Sequence, residues 1–176
     1  MMSQVSLQLT PPYFYLAVGN KSDATNFGWQ LKEAYKPLLV TVRVLRGNKM
    51  KKTMELFDEI AAVLQFPYYF GENWNAFDEC LNDLDWLEGE AYLLMITDVS
   101  TVLIEESPQE FLTFIKILRQ ACQEWSDISG QASTGGLVRE SKPFKVVFQC
   151  SKENSEQFRL LLQSENLPFQ EFNLSN

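Results

Sequence analysis

The 176-residue chain contains no histidine. Histidine is the commonest general base near neutral pH, so its absence excludes Ser-His and Cys-His nucleophile pairs. The phosphate-binding patterns GxxxxGK[ST] and GxGxxG are also missing. Paired carboxylates could still provide an acid and a base, but no pattern in the sequence indicates a cleft around them. We therefore expect no enzyme, no catalytic residue and no cofactor.

Cysteine is scarce, and the three thiols have neither an even count nor a paired spacing. A disulfide framework or a zinc site is therefore not expected, and Cys80, Cys122 and Cys150 are predicted to be buried and reduced. The acidic residues between 83 and 90 lack the ligand spacing and the glycine of a calcium loop. We predict no metal site.

No apolar run approaches the roughly 18 residues of a membrane span. The first residues, MMSQVSLQLTPPYFYL, lack a basic region followed by a long apolar stretch, as a secretory signal would have. We expect a soluble cytoplasmic protein that has no membrane partner.

Positive charge is absent from one long interval. The net charge is -8, and no Lys or Arg occurs between Lys52 and Lys116, where 14 of the 23 carboxylates lie. The remaining chain holds all 15 Lys and Arg. Segregated charges of this kind repel nucleic acid and attract basic surfaces. The sequence favours a basic protein as partner over nucleic acid, although acidic composition alone also increases solubility.

Apolar periodicity predicts strands that alternate with helices. The predicted strands are residues 12–18, 37–45, 91–99 and 144–150, with a short edge strand near 168–174, and the predicted helices are residues 51–65, 74–84, 111–125 and 155–163. This alternation is typical of an α/β fold with a small, mainly parallel sheet.

The length fits one domain. We predict an N-terminal extension over residues 1–36, a strand and a short helix packed on the domain, and an α/β domain over residues 37–176. Residues 126–142, SDISGQASTGGLVRESK, are polar and rich in Gly and Ser, so they are predicted to form a mobile loop.

The segment FPYYFGENWNAFDECLNDLDWLEGE, residues 66–90, contains seven carboxylates and no Lys or Arg. Asn73 can cap a helix that follows it. Helical spacing then separates an apolar stripe from a polar one. The apolar stripe is Trp74, Phe77, Cys80, Leu81 and Leu84, and the polar stripe is Asn75, Asp78, Glu79, Asn82 and Asp83. The polar stripe is interpreted either as a binding surface or as an ordinary solvated helix face.

The motif YFGENWNAFDECL, Tyr69 to Leu81, resembles the inhibitory segment of the barstar family, small intracellular inhibitors of secreted barnase-type ribonucleases. In that family a tyrosine, an aromatic residue and Gly-Glu-Asn precede an acidic helix that ends in Cys-Leu. The resemblance extends from about Val40 to Cys150 by the order of elements. It implies a three-stranded, mainly parallel sheet packed by helices, with N- and C-terminal additions.

The resemblance also implies which residues contact a partner. Tyr69, Gly71 and Asn73 match the loop that faces the nuclease, and Glu79 matches the aspartate that enters its active site. The predicted partner-binding residues are Tyr69, Phe70, Gly71, Asn73, Trp74, Asn75, Asp78, Glu79, Asn82 and Asp83. Phe70 and Trp74 could equally pack in the core.

Two positions depart from the family pattern. Asn75 stands where a second acidic contact is usual, and Asp78 stands where a tryptophan occurs. The family also uses a carboxylate from the helix after the second strand, and no counterpart is found between Phe111 and Ala121.

The resemblance implies an immunity-type inhibitor that blocks the active site of a basic, barnase-type ribonuclease with its acidic helix and the preceding loop. Such an active site is lined with cations that bind phosphate, so carboxylates can occupy the phosphate position. The alternative is an acidic interaction module of the same fold that binds another cationic protein.

Overall fold

A computed structural model describes residues 5–127 and 140–174. Strands and helices alternate along this part of the chain, as the periodicity predicts. The strands are β1 Phe14–Val18, β2 Val40–Arg46, β3 Ala91–Thr97, β4 Phe144–Cys150 and β5 Phe169–Asn173. The α-helices are α1 Lys21–Ala34, α2 Thr53–Leu64, α3 Trp74–Asp83, α4 Pro108–Ser126 and α5 Lys152–Ser164, and short 3-10 turns occupy Gly47–Lys49 and Val99–Thr101.

The five strands form one parallel sheet in the order β2-β3-β4-β1-β5. The predicted α/β class is right, but the predicted number of three strands is wrong. β1 pairs with β4, with Phe14 opposite Val146, and β5 pairs with the other side of β1. Because these partners are far apart in sequence, local periodicity does not reveal that they enlarge the central sheet.

Both faces of the sheet are covered along β1, β3 and β4, where every residue is buried, which explains why these three strands are nearly continuous in apolar residues. Phe14 and Leu16 of β1 belong to the core beneath α2, α3, α4 and α5. Tyr15 and Ala17 face the opposite way, into a second core that contains Ala24 and Leu31 of α1. The helices therefore form two layers of different size, one on each face of the sheet, and α3 belongs to the larger layer.

Lys145 in β4 is fully buried, and its ammonium group binds the N-terminal segment to the sheet. Its Nζ donates to the backbone carbonyls of Thr10 at 2.8 Å and Pro12 at 3.0 Å, and it lies 5.0 Å from the centroid of the Tyr13 ring. Residues of the predicted extension thus share the sheet with the later strands. The domain boundary at residue 36 stays a prediction.

The carboxyl ends of β1, β3 and β4 are joined by side chains. Gln149 donates to the carbonyl of Gly19 at 2.7 Å and accepts from the backbone N–H of Asp98 at 2.8 Å. Lys21, in the first turn of α1, forms an ion pair with Asp98 at 2.9 Å. These contacts tie together the carboxyl ends of the strands, at the end of the sheet where β1 leads into α1.

The predicted mobile loop at 126–142 falls mostly on residues 128–139, which lie outside the described residues. The cysteines Cys80, Cys122 and Cys150 are buried free thiols, as their spacing predicts.

Replacing Lys145 should change how stability depends on pH. Burial lowers the pKa of Lys145 to about 8, whereas an unfolded lysine titrates near 10.4. Because the unfolded chain then binds more protons between these values, the free energy of unfolding should rise with pH there, by about 1–3 kcal/mol. Lys145→Met lacks this contribution. Urea unfolding of both chains at about pH 7.5 and pH 9.5 measures it, and parallel pH profiles would contradict the prediction.

Candidate partner-binding face

Helix α3 begins at an asparagine cap. The Oδ1 atom of Asn73 accepts from the backbone N–H of Ala76 at 2.9 Å, which satisfies one of the free donors at the helix start. Its Nδ2 atom donates to the carbonyl of Gly71 at 3.0 Å. Asn73 and Gly71 therefore fix the angle between the loop and α3, and their contact with a partner stays a prediction.

The two faces of α3 differ as the spacing predicts. The inner face is buried and includes Phe77, Cys80 and Leu81. The outer face carries the predicted polar residues, of which Asn75, Glu79 and Asp83 are exposed and Asp78 and Asn82 are half-buried. The polar stripe is therefore available to a partner along the length of the helix.

The aromatic residues before α3 point in two directions. Phe66 and Phe70 turn inward, and the Phe70 ring lies 5.8 Å from that of Phe57 in α2. Tyr68 and Tyr69 turn outward, with exposed fractions of 101% and 63%. Of the predicted contacts, Tyr69 is accessible and Phe70 mainly packs. Tyr68 is not among the predicted contacts but is the more exposed tyrosine, and its place in the Tyr-Tyr doublet is the only sequence signal for it.

Tyr69 lies beside the carboxylates of the helix. Partial burial and the negative charges of Asp83 and Asp85 raise the pKa of the Tyr69 phenol. The phenol therefore remains protonated at neutral pH and can donate a hydrogen bond to a partner. The loop and the acidic side of α3 form one continuous surface.

The side chain of Trp74 contacts the protein interior. Its Nε1 atom donates to Oε2 of Glu110 in α4 at 2.8 Å. Its ring lies 5.0 Å from that of Phe57 and 6.0 Å from that of Phe77. The indole thus joins α2, α3 and α4, and a direct contact with a partner stays a prediction.

A carboxylate of α4 joins the outer side of α3. Burial raises the pKa of Asp78, and repulsion from Glu124 and Glu79 acts in the same direction, while a hydrogen bond from Asn82 opposes it. The Nε2 atom of Gln120 donates to Oε1 of Glu124 at 2.8 Å and orients it. Three carboxylates from two helices therefore meet here.

We call Tyr69, Asp78, Glu79, Asp83 and Glu124 the acidic face. Glu124 is not among the predicted contacts, because it lies about one turn beyond Ala121, outside the stretch from Phe111 in which a carboxylate was expected. The i,i+4 spacing of Gln120 and Glu124 was the available signal. Within the described parts of the chain, no Lys or Arg forms an ion pair with Asp78, Glu79 or Glu124. This surface can therefore pair with cations of another molecule.

Neither a metal-binding cluster nor a membrane-spanning helix occurs in residues 5–127 and 140–174. No group of three or more Cys, Asp or Glu residues is arranged there to hold a metal ion. No helix in these ranges is long and apolar enough to span a membrane.

Comparison with known families identifies the core of the chain. The model of the family described as Barstar (barnase inhibitor) matches residues 40–149, well over half of the chain. The chain belongs to the barstar family. The match includes β2, β3, β4 and the acidic face, whereas β1, α1, α5 and β5 lie outside it.

No curated protein matches the chain. Among solved structures, the ORC2 protein of Aeropyrum pernix in ADPNP and ADP complexes is similar with 11% identity and a TM-score of 0.56, over 91% of this chain and 41% of that one. Drosophila ORC bound to AT-rich DNA and Cdc6 gives 13% identity and a TM-score of 0.45, over 92% and 48%. This barstar family member spans less than half of either chain, and the ORC2 likeness concerns the fold alone.

Removing one charge from the acidic face should stabilise the protein. The pKa of Asp78 is raised in the folded state, so its ionised form destabilises the fold above that pKa. Asp78→Asn keeps an oxygen that can accept from Asn82 and should increase the free energy of unfolding at pH 7. The gain should stay below about 1 kcal/mol because the group is partly exposed.

Urea unfolding at pH 7 and about pH 4 measures this gain, which should shrink as Asp78 becomes protonated. Asp58→Asn, at an exposed position on α2, is the control. A stability gain for Asp58→Asn as large as that for Asp78→Asn would contradict the assigned repulsion.

Proposed function

We propose that the protein is an inhibitor that binds a basic ribonuclease and blocks its active site with the acidic face, in an immunity-type role. The observation that carries this proposal is the proximity of Asp78 and Glu79 of α3 to Glu124 of α4, none of which has a cationic partner among the described residues. The family match over residues 40–149 supports it.

The chemistry of inhibition follows from charge and position. A ribonuclease binds phosphate with Lys, Arg and His, and a carboxylate can take the place of the phosphate oxygens. Glu79 is exposed in the second half of α3, between Asp78 and Asp83. Tyr69 adds a ring and a phenol donor at the edge of these charges, a combination found in interface hot spots. The protein would exclude RNA by occupying its binding site.

A second candidate is an acidic interaction module that binds a cationic protein other than a nuclease. Asn75 and Asp78 favour it, because both differ in character from the residues expected there by the family pattern. The half-buried Asp78, beside Glu124, replaces an expected aromatic anchor with a charge. A partner for this surface would need cations opposite Asp78.

Reversing the charge at the centre of the acidic face should abolish inhibition. Glu79→Lys places a cation against the phosphate-binding cations of the nuclease. We expect a loss of affinity of at least about 100-fold, or roughly 3 kcal/mol, for a barnase-type ribonuclease. The measurement is inhibition of RNA cleavage at low salt, with the fold checked by circular dichroism.

The matched control is Glu153→Lys, an equal change of charge at an exposed position in the first turn of α5. It should leave inhibition within about twofold. Tight inhibition by the folded Glu79→Lys chain would refute the proposed site. If the unmodified protein inhibits no such nuclease but binds other basic proteins through Glu79, the second candidate holds.

Salt should act mainly on association. Opposite charges steer the two proteins together, and ions screen this attraction beyond about 10 Å at 0.1 M. Raising the salt from about 0.05 M to 0.5 M should slow association at least tenfold and change dissociation by less than about threefold. Surface plasmon resonance separates the two rates. Equal effects on both would argue against steering by the acidic face.

A further inference from the structure

A small cleft opens at the amino ends of β1 and β5, between the N-terminal segment, α4 and the turn before β5. Its volume is about 70 Å³. Phe14 and Leu167 are buried there, whereas Pro11, Gln123 and Pro168 are exposed, so the cleft has an apolar floor and an open mouth. The described residues that line it are Pro11, Tyr13, Phe14, Arg119, Gln123, Leu167 and Pro168.

The cleft lies between the family core and the segments added to it. Arg119 and Gln123 of α4 belong to the region matched by the family, residues 40–149, and the other lining residues lie outside that region. None of the described lining residues belongs to the acidic face. The cleft is therefore formed by the added segments, and it can be studied without a nuclease.

One wall of the cleft carries a cation that has no counter-ion. Arg119 is half-buried, and it forms no ion pair with any carboxylate in residues 5–127 and 140–174. None of the described lining residues is Asp or Glu. A half-buried guanidinium whose charge is not balanced by a neighbour favours the binding of an anion.

Lys145 is a second cation next to the cleft. Its Nζ lies 5.0 Å from the centroid of the Tyr13 ring, which lines the cleft. The hydrogen-bond acceptors of this ammonium group are the carbonyls of Thr10 and Pro12, which carry no charge. Because the pKa of Lys145 stays at about 8, the group is mainly protonated at neutral pH. The surroundings of Tyr13 are thus positive in a chain whose net charge is -8.

The size of the cleft limits the body of a ligand. An enclosed apolar cavity of about 150 Å³ holds a benzene ring, so a cleft of about 70 Å³ accommodates roughly four carbon atoms. The side chains of Phe14 and Leu167 favour hydrocarbon over polar groups. A fitting ligand is therefore a short hydrocarbon that carries its negative charge at one end.

We propose that this cleft binds a small apolar monocarboxylate, whose carboxylate pairs with Arg119 and whose hydrocarbon body packs against Phe14, Tyr13 and Leu167. The planar fork of a guanidinium matches the two oxygens of a carboxylate. An amine or an amino acid does not fit, because none of the described lining residues carries a negative charge to pair with an ammonium group.

Isovalerate is the probe that tests this proposal. Isovaleramide and isopentylamine provide a neutral and a cationic counterpart with a similar branched chain. Backbone amide shifts of the isotope-labelled full chain are measured at neutral pH and constant ionic strength, up to about 20 mM of each compound. Isovalerate should shift the amides of Phe14 and Leu167 with a dissociation constant of about 0.1–1 mM.

The two counterparts should bind at least about tenfold more weakly than isovalerate, because neither can form the charged pair with Arg119. The absence of a saturable shift with isovalerate would overturn the proposal. Binding of isovaleramide as tight as that of isovalerate would overturn it as well, since the cation would then not select the ligand.

Arg119→Gln removes the charge from the wall and should raise the dissociation constant for isovalerate at least about tenfold. The matched control is Lys116→Gln, an equal change of charge at an exposed position one turn earlier on α4 that does not line the cleft. This control should leave the constant within about twofold. The amide spectrum of each variant shows that the fold is retained.

Gln123→Trp tests the cleft without removing its cation. The exposed position on α4 tolerates a larger side chain, and the indole would cover the mouth. Binding of isovalerate should weaken at least about tenfold. Binding that survives both Arg119→Gln and Gln123→Trp belongs to another site, and that result would overturn the proposal.

Discussion

The packing of aromatic rings around Phe57 is the interaction on which the candidate site depends. Phe57 is buried in α2 and contacts Phe70 of the loop and Trp74 and Phe77 of α3. Because three consecutive parts of the segment rest on one ring, the rotation of α3 about its axis is fixed. That rotation turns the carboxylates outward and leaves Tyr69 beside them. The orientation of the polar surface is thus set by apolar contacts on the other side of the helix.

The same arrangement places like charges together. Asp78 is partly buried beside Glu79 and Glu124, and the rise in its pKa shows that its ionised form is disfavoured. A surface optimised only for stability would place a Lys or Arg there, yet the chain has none between Lys52 and Lys116. Sites under functional selection often retain such destabilising groups. A cationic partner would relieve the repulsion on binding.

The sequence predicted α3 well because its cap and both of its stripes are local signals, carried by Asn73, Phe77 and Glu79. It failed where distant segments meet. Strand β1 lies between β4 and β5, and no periodicity within residues 14–18 indicates this partner. Glu124 approaches Asp78 from another helix, so only the packing of α4 on α3 brings it to the site. The spacing of Trp74 fits either a partner contact or a core position, and its packing between helices is shown by its hydrogen bond to Glu110 and its ring contacts.

The bonds from Gln149 to Gly19 and Asp98, and the ion pair from Lys21 to Asp98, have a wider consequence. Open α/β sheets usually bind ligands in the crevice beyond the carboxyl ends of their strands. In this chain the corresponding strand ends are tied together by their own side chains. A fold of the general kind seen in ORC2 therefore has this crevice closed by its own side chains, and the proposed recognition would use the outer surface of one helix layer instead.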